Sequence, residues 1–434
     1  MPNTFYVSDT NGNDGQSGES PGQATKTIGA ALGKAGVTAG DTIEIIDEAT
    51  YDDETFPLQI PVNNLTLTHT ASQLGLPVID ASADADTNPI KLQVASGATM
   101  RTGFTLNGIE VKGSGHVNQQ LLTIYPAGTN NANGLTITEC FIYQVSAIAN
   151  GDMHCQAGEN IRIKQTSFMF TNKNQDAIRF GADGSSGTGG GGQFEIENCF
   201  LSRSATGVGG ESLNPILTAK NASKNATASF CTFKFEEVGT NIEVIKTFPK
   251  VINCVVTGSG ANLKGIDAAD HTFNVVNVQG TAFLNGLGSA DSAHASETTD
   301  AVTFVDGTST GHTQAIVQNF ALAAGSVGID QGTSFNNINV DINDVSRPQG
   351  SAPDMGAFET IVPYWCDADE PETFRQKFGS NNFEIRATAN KLKTRRFPCE
   401  AANRQAPYFI TIPGPATIRE RNTAYKVDGR EGNG

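Results

Sequence analysis

Leu135–Phe141 reads Leu-Thr-Ile-Thr-Glu-Cys-Phe, and Phe194–Phe200 reads Phe-Glu-Ile-Glu-Asn-Cys-Phe. Both carry an apolar–polar–apolar strand followed by Cys and an aromatic residue, in the same phase. Ile161–Phe168 (Ile-Arg-Ile-Lys-Gln-Thr-Ser-Phe) reads as a third copy, slipped by one residue and with Ser near the Cys position. Looser echoes follow at Phe230–Phe233 and Val251–Val255. Short strands recurring every roughly 20–30 residues between Gly, Asn and Asp turns mark a solenoid. No single copy can bury its apolar face, so the copies must stack.

Composition agrees with that reading. The chain has 434 residues, 47 of them Gly, and only 17% are charged. Tight turns between short strands require such a residue set, and few charges suit ladders in which like charges would repel from rung to rung. The net charge is −16. Residues 364–434 hold 12 Lys and Arg against 9 Asp and Glu, a balance of +3, which leaves −19 on the remainder. An acidic chain excludes a nucleic-acid partner, whose phosphates need a basic surface. No apolar run is long enough to span a bilayer, which excludes membrane insertion.

Of the seven cysteines, Cys140, Cys199, Cys231 and Cys254 share one repeat phase. That phase predicts stacked interior thiols acting as small apolar fillers, not disulfides, because the rungs already hold one another. No CxxC pair occurs and the histidines lack HxxxH or HExxH spacing, so neither a metal nor a cofactor is expected. Cys366 and Cys399 lie outside the repeat, and their pairing is left open.

Ile28, Ala31, Leu32 and Ala35 recur at helical spacing, which predicts a short helix over Thr27–Ala35 capping the first rung. Strands are expected at Phe5–Ser8, Thr42–Ile46, Leu65–His69, Ile90–Val94, Thr105–Lys112 and Leu121–Tyr125. Gly181–Gly192 reads as a surface loop, since it lacks the Gly-Lys-Ser/Thr ending of a phosphate cradle. From Pro363 the repeat stops. The expected organisation is an N-terminal cap over 1–40, a repeat rod over 41–362 and a C-terminal assembly or attachment segment over 363–434.

The two ends of the repeat region carry a family likeness. Phe5-Tyr6-Val7-Ser8, Asn11-Gly12-Asn13-Asp14-Gly15, Thr25-Lys26-Thr27-Ile28 and Gly40-Asp41-Thr42-Ile43 resemble the start of proteins of the pectin-lyase-like superfamily. Ile329-Asp330-Gln331-Gly332, Arg347-Pro348 and Pro353-Asp354-Met355-Gly356-Ala357-Phe358-Glu359 resemble the last rungs of surface-type members. The resemblance implies an all-β, right-handed parallel β-helix with a short N-terminal capping helix and a C-terminal non-repeat extension. One fold hosts many activities, so it implies little about function.

Enzymes of that superfamily cut polysaccharides with paired carboxylates or with calcium and a basic residue. The string Arg162-Ile-Lys164 is found in polygalacturonase-like hydrolases, but its companion Asn-Thr-Asp and Gly-His-Gly elements are missing, and strand alternation accounts for it. Asp152, His154, Asp176, Arg179 and Asp183 form the best catalytic cluster, because neighbouring rungs could bring them to one face. Carboxylates roughly 5–10 Å apart would serve as glycosidase acid and base. Against this stands the need of every rung for Asp and Asn at its turns. Asp267, Asp270 and His271 make a smaller cluster of the same kind. The cationic run Lys391, Lys393, Arg395 and Arg396, with Tyr364 and Trp365 at the junction, is the candidate interaction site, since it can pair with an acidic surface on a neighbour.

The reading favoured by the sequence is a non-enzymatic bacteriophage virion protein, a head-decoration, spike or fibre subunit. It rests on a β-helix that begins its first strand without an export signal. Its expected partners are other virion proteins through the C-terminal segment, sister copies in a homo-oligomer taken as a trimer, and a host-surface glycan. The alternative is a tailspike-like polysaccharide lyase or glycoside hydrolase using the Asp152–Asp183 cluster.

Overall fold

The computed structural model describes residues 2–69, 75–83, 90–91, 101–113, 122–124, 132–144, 153–155, 158–170, 178–180, 193–204, 217–219, 225–236, 242–259, 263–272, 275–279, 303–306 and 317–360, and short strands beyond residue 363. Alternating apolar residues set the first sheet. Thr4–Val7 pairs in parallel with Thr42–Ile45, and the ladder continues through Thr66–His69, Thr105–Asn107, Thr136–Thr138, Ile161–Lys164, Gln193–Glu197 and Asn225–Ser229. Ile43, Leu67, Leu106, Ile137, Ile163, Ile196, Ala228 and Val251 form one buried row through it. Each rung then turns into a second parallel sheet, which runs from Thr50–Tyr51 through Phe141–Gln144 and Phe200–Ser204 to Val275–Gln279. A third series passes from Leu58–Gln59 through Met153–Cys155 and Ile178–Phe180 to Leu217–Ala219. Ile242–Ile252 and Leu263–Thr272 are long enough to run from the third series into the first. Parallel strands joined in this order coil right-handed, and the fold is the expected right-handed parallel β-helix.

The corner between the first and second sheets is built by one left-handed residue per rung: Gly108, Glu139, Gln165, Asn198, Phe230 and Asn253 all have positive φ. Asn adopts that conformation more readily than most other residues with a Cβ. The residue after each corner points inward. Cys140, Cys199, Cys231 and Cys254 are buried thiols outside any disulfide, and the Cys140 thiol donates to the Thr138 carbonyl at 3.1 Å. Burial pushes that thiol up to about 12, which keeps it inert.

Three sequence expectations change here. The Ile161 copy is not slipped: Ile163 pairs with Ile137 and Ile196, so Thr166 takes the Cys position and Ser167 the aromatic one. A hydroxyl fits that place because Thr166 Oγ1 donates to the Lys164 carbonyl at 2.7 Å. The Thr105–Lys112 stretch is two strands on different sheets, divided at Gly108, whose φ of 66° turns the chain. A Cβ at Gly108 would lie 2.9 Å from the His69 carbonyl oxygen. The helix spans only Ile28–Leu32 and ends at Gly33, which leaves Ala35 exposed. Ile28, Ala31 and Leu32 cover the first rung, and Thr27 caps the helix by accepting from the Ala30 N–H.

A fourth difference is larger. The stretch that resembles last rungs contains no rung. Residues 317–360 form a strap of turns and isolated bridges that runs back over the outer face of the second sheet. Asn198 Nδ2 donates to the Val340 carbonyl at 2.8 Å, Gln165 Nε2 to the Asp344 carboxylate at 2.7 Å, and Asn253 Nδ2 to the Thr333 carbonyl at 2.7 Å. The corner residues therefore tie the strap down. Beneath it, Phe141, Tyr143, Met169 and Phe200 pack with Val317, Phe320 and Phe358.

Residues 361–434 are a separate unit. Its described strands are antiparallel: Lys377–Phe378 with Phe383–Arg386, which pairs Ala416–Glu420, which pairs Thr423–Val427. Tyr364–Trp365 pairs with Pro398–Cys399.

Candidate functional site

The third series of strands brings basic residues into one row. Lys91 stands in register with Thr123, Thr123 with His154, His154 with Arg179, Arg179 with Thr218, and Thr218 with Lys246. The row one position earlier includes Leu58, Ile90 and Ile178, all buried in the core. The basic register positions alternate with that core row along the strands. Rungs repeat at about 4.8 Å, which puts the backbone of Lys91 about 14 Å from that of Arg179, and Arg179 about 10 Å from Lys246. Lys91, His154, Arg179 and Lys246 thus share one register position on four of these rungs, in a chain of net charge −16.

Of the predicted catalytic cluster, the structure brings His154 and Arg179 side by side on adjacent rungs. Asp152, Asp176 and Asp183 lie outside the described residues, as do Lys391, Lys393, Arg395 and Arg396 of the predicted interaction site. Tyr364 and Trp365 form a two-residue strand in the second unit. The Asp267, Asp270 and His271 group is divided: Asp270 pairs with Lys250, in the same row as Arg162 and Glu195, whereas His271 pairs with buried Val251 and so continues the row of core positions. Residues one apart on a strand cannot share a face. Arg162 and Lys164 are both engaged across rungs, with Glu195 at 2.9 Å and Glu197 at 3.1 Å.

A second group was missed by sequence reasoning. On the outer face of the second sheet, just beyond the strap-covered Tyr143, Lys112 Nζ lies 2.6 Å from Asp80 Oδ2, and Tyr143 hydrogen-bonds Glu110. Burial pushes Glu110 up, tempered by Tyr143 and Lys112. Burial acts on Asp80 in the same direction, but hydrogen bonds from Lys112 and Ser82 outweigh it and hold that carboxyl low. The sequence signal was there: Asp80 and Lys112 occupy the same alternating position in Val78–Ala81 and Glu110–Gly113. The short Asp80–Lys112 bond satisfies this group internally. Among the described residues no set of His, Cys, Asp and Glu could hold a metal ion, and no helix is long and apolar enough to cross a membrane.

No protein-family model matches the chain, and no curated protein does. Among solved structures it is similar to pectate lyase Pel9A, at 15% identity over 83% of this chain and 96% of that one, with a TM-score of 0.37. It is also similar to a GH136 lacto-N-biosidase from Eubacterium ramulus, at 9% identity over 63% of this chain and 56% of that one, with a TM-score of 0.34. The fold assignment stands on the strand registers themselves.

Proposed function

We propose that this chain is a carbohydrate-recognising β-helix protein whose third series of strands engages an extended acidic polysaccharide. The register row from Lys91 through His154 and Arg179 to Lys246 carries the reading. A linear polyanion laid along the rungs would meet a cation or an imidazole on most of them, and a carboxylate pairs with a guanidinium in a bidentate fork. A folded protein ligand offers no such repeat. The test is titration calorimetry against polygalacturonate and a neutral glucan across a salt series. Binding to the polyuronate should weaken steadily with salt, and replacing Lys91, Arg179 and Lys246 together by Gln should lower affinity at least tenfold. Equal affinity for the neutral glucan, or none lost in the triple variant, sinks the proposal.

The His154–Arg179 neighbours favour a second reading, cleavage of the bound chain. An imidazole can take a proton from a sugar whose carboxylate a guanidinium holds. Unsaturated ends should then accumulate with the wild-type chain and vanish with His154→Ala. A virus particle that presents the β-helix to a host glycan is a setting that uses the same row. There the chain should co-purify with particles, held through residues 363–434.

A further inference from the structure

The strap is held to the coil by buried charge, and the charges do not balance. Arg347 and Glu359 have no exposed side-chain surface and meet at 3.3 Å. The same guanidinium donates to the carbonyls of Asp354 and Gly356, at 2.7 and 2.8 Å, and lies over the Phe230 ring at 4.6 Å. Asp341 and Asp354 are also buried. Asp341 accepts from the N–H groups of Asn343, Val345 and Glu359; Asp354 accepts from those of Asp330 and Thr360; Glu359 accepts from those of Gln349 and Asp354. Three carboxylates thus share one guanidinium. From the coil side the cluster meets Phe230 and, at longer range, the Cys231 thiol, while the coil's buried Lys234 meets the strap elsewhere, its Nζ 4.1 Å from the Phe320 ring. Asp330, which accepts from the Ala352 N–H, adds a further carboxylate at the edge. In the turn between Asp341 and Arg347, Asp344 faces Glu139, a like-charged corner residue of the coil.

We propose that residues 317–360 are a pH-gated cover for the second sheet, closed in acid and loosened as its carboxylates ionise. Asp341, Asp354, Glu359 and Glu139 all favour the same direction. Burial pushes Asp341, Asp354 and Glu359 up, Glu359 to about 7, and burial followed by Asp344 pushes Glu139 up. A carboxyl whose value is higher in the closed state than in the open one must lose its proton on opening. Its contribution to closure is fully present below the ordinary Glu value of 4.5 and is gone once the pH has risen through about 7. Opening would uncover Phe141, Met169 and Phe200.

The experiment uses the full chain, an apolar dye and limited proteolysis, with buffers from pH 4.5 to 8.5 at constant ionic strength. Dye binding and cleavage within 317–360 should rise together between pH 5 and 7 and level off above about 8. One linked proton allows up to about tenfold per pH unit in the open population. Glu359→Gln should flatten the rise by as much as about one decade per unit. Asp344→Asn, at the exposed edge, should lower the open population at pH 8 several-fold and keeps the test alive if the buried variant fails to fold. Dye binding that is level across the range, cleavage that falls as pH rises, or an unaltered curve in both variants would overturn the proposal.

Discussion

The outer faces of the first and second sheets belong to the same rungs yet are finished differently. On the first, Thr4, Thr42, Thr66, Thr105 and Thr136 stand in one row, followed by Arg162 and Glu195. These residues suit a solvated strand, since β-branched threonine packs well across a pleat while its hydroxyl meets water. On the second, the matching positions hold Phe141, Ser167, Phe200, Thr232 and Val255, and Phe200 is fully buried against Phe320 at 5.0 Å. Phe141, Phe200 and Val255 in that row, with Met169 beside them, would form an exposed apolar patch, and the strap covers it. The lesson is that repetition holds the coil together, whereas single-use contacts hold the strap.

The sharpest way to break this difference is Arg347→Met. It keeps much of the volume but leaves Asp341, Asp354 and Glu359 buried without their shared cation. Removing one partner of a buried charge group costs about 3–5 kcal/mol. Urea unfolding at pH 7 should show a loss of that size, with the strap lost first. A loss under about 1 kcal/mol would mean that the cluster is solvated in solution. Because burial pulls the guanidinium down against the pull of the acids, Arg347→Lys should not rescue; an ammonium also cannot serve both carbonyls and Glu359 with a planar fork.

Asn253→Gly probes the seam between the two regimes. Gly accepts the left-handed corner, φ 54°, without strain, so the substitution removes only the side-chain bonds. Those are the donation to the Thr333 carbonyl at 2.7 Å and the acceptance from its N–H at 3.0 Å. Two net hydrogen bonds are worth about 1–2 kcal/mol. Protease cleavage near residue 333 should speed up while the melting of the coil barely moves. An equal drop in both would show that the corners serve the coil itself.

The parts of the molecule that were legible in the sequence follow this division. The strand–Cys–aromatic copies exposed the rungs because stacking makes each rung repeat the residue types of its neighbour, and the thiol phase gave the inward row directly. Thr166 and Ser167 hid the register of one rung, since a hydroxyl replaced the thiol and blurred the alignment. The strap resembles further rungs in sequence because its contacts join residues far apart in the chain, such as Gln165 with Asp344, and no period announces them. Phe230 held a clue: a bulky residue at a corner otherwise given to Gly, Asn, Gln and Glu is out of place until the Arg347 guanidinium is seen above its ring. The basic row was legible only in part. His154 and Arg179 belong to a cluster that neighbouring rungs could bring to one face, whereas Lys91 and Lys246 enter only through the observed register.

The smallest effect is expected on the bare face, and it is the control for all the others. Arg162 Nε meets Glu195 Oε2 at 2.9 Å, but the arginine side chain is 52% exposed. The pair exchanges hydration for a contact in high dielectric and fixes two long side chains, so double-mutant cycles on such pairs give about 0.2–1 kcal/mol. Arg162→Ala, Glu195→Ala and the double variant should therefore yield a coupling below about 1 kcal/mol, shrinking further in 1 M salt, where screening acts within about 3 Å. A coupling of 3 kcal/mol, as large as that expected at Arg347, would mean that this face too is covered in the working protein. The contrast between a solvated sheet and a strapped one would then have to be redrawn with a partner seated on the first sheet.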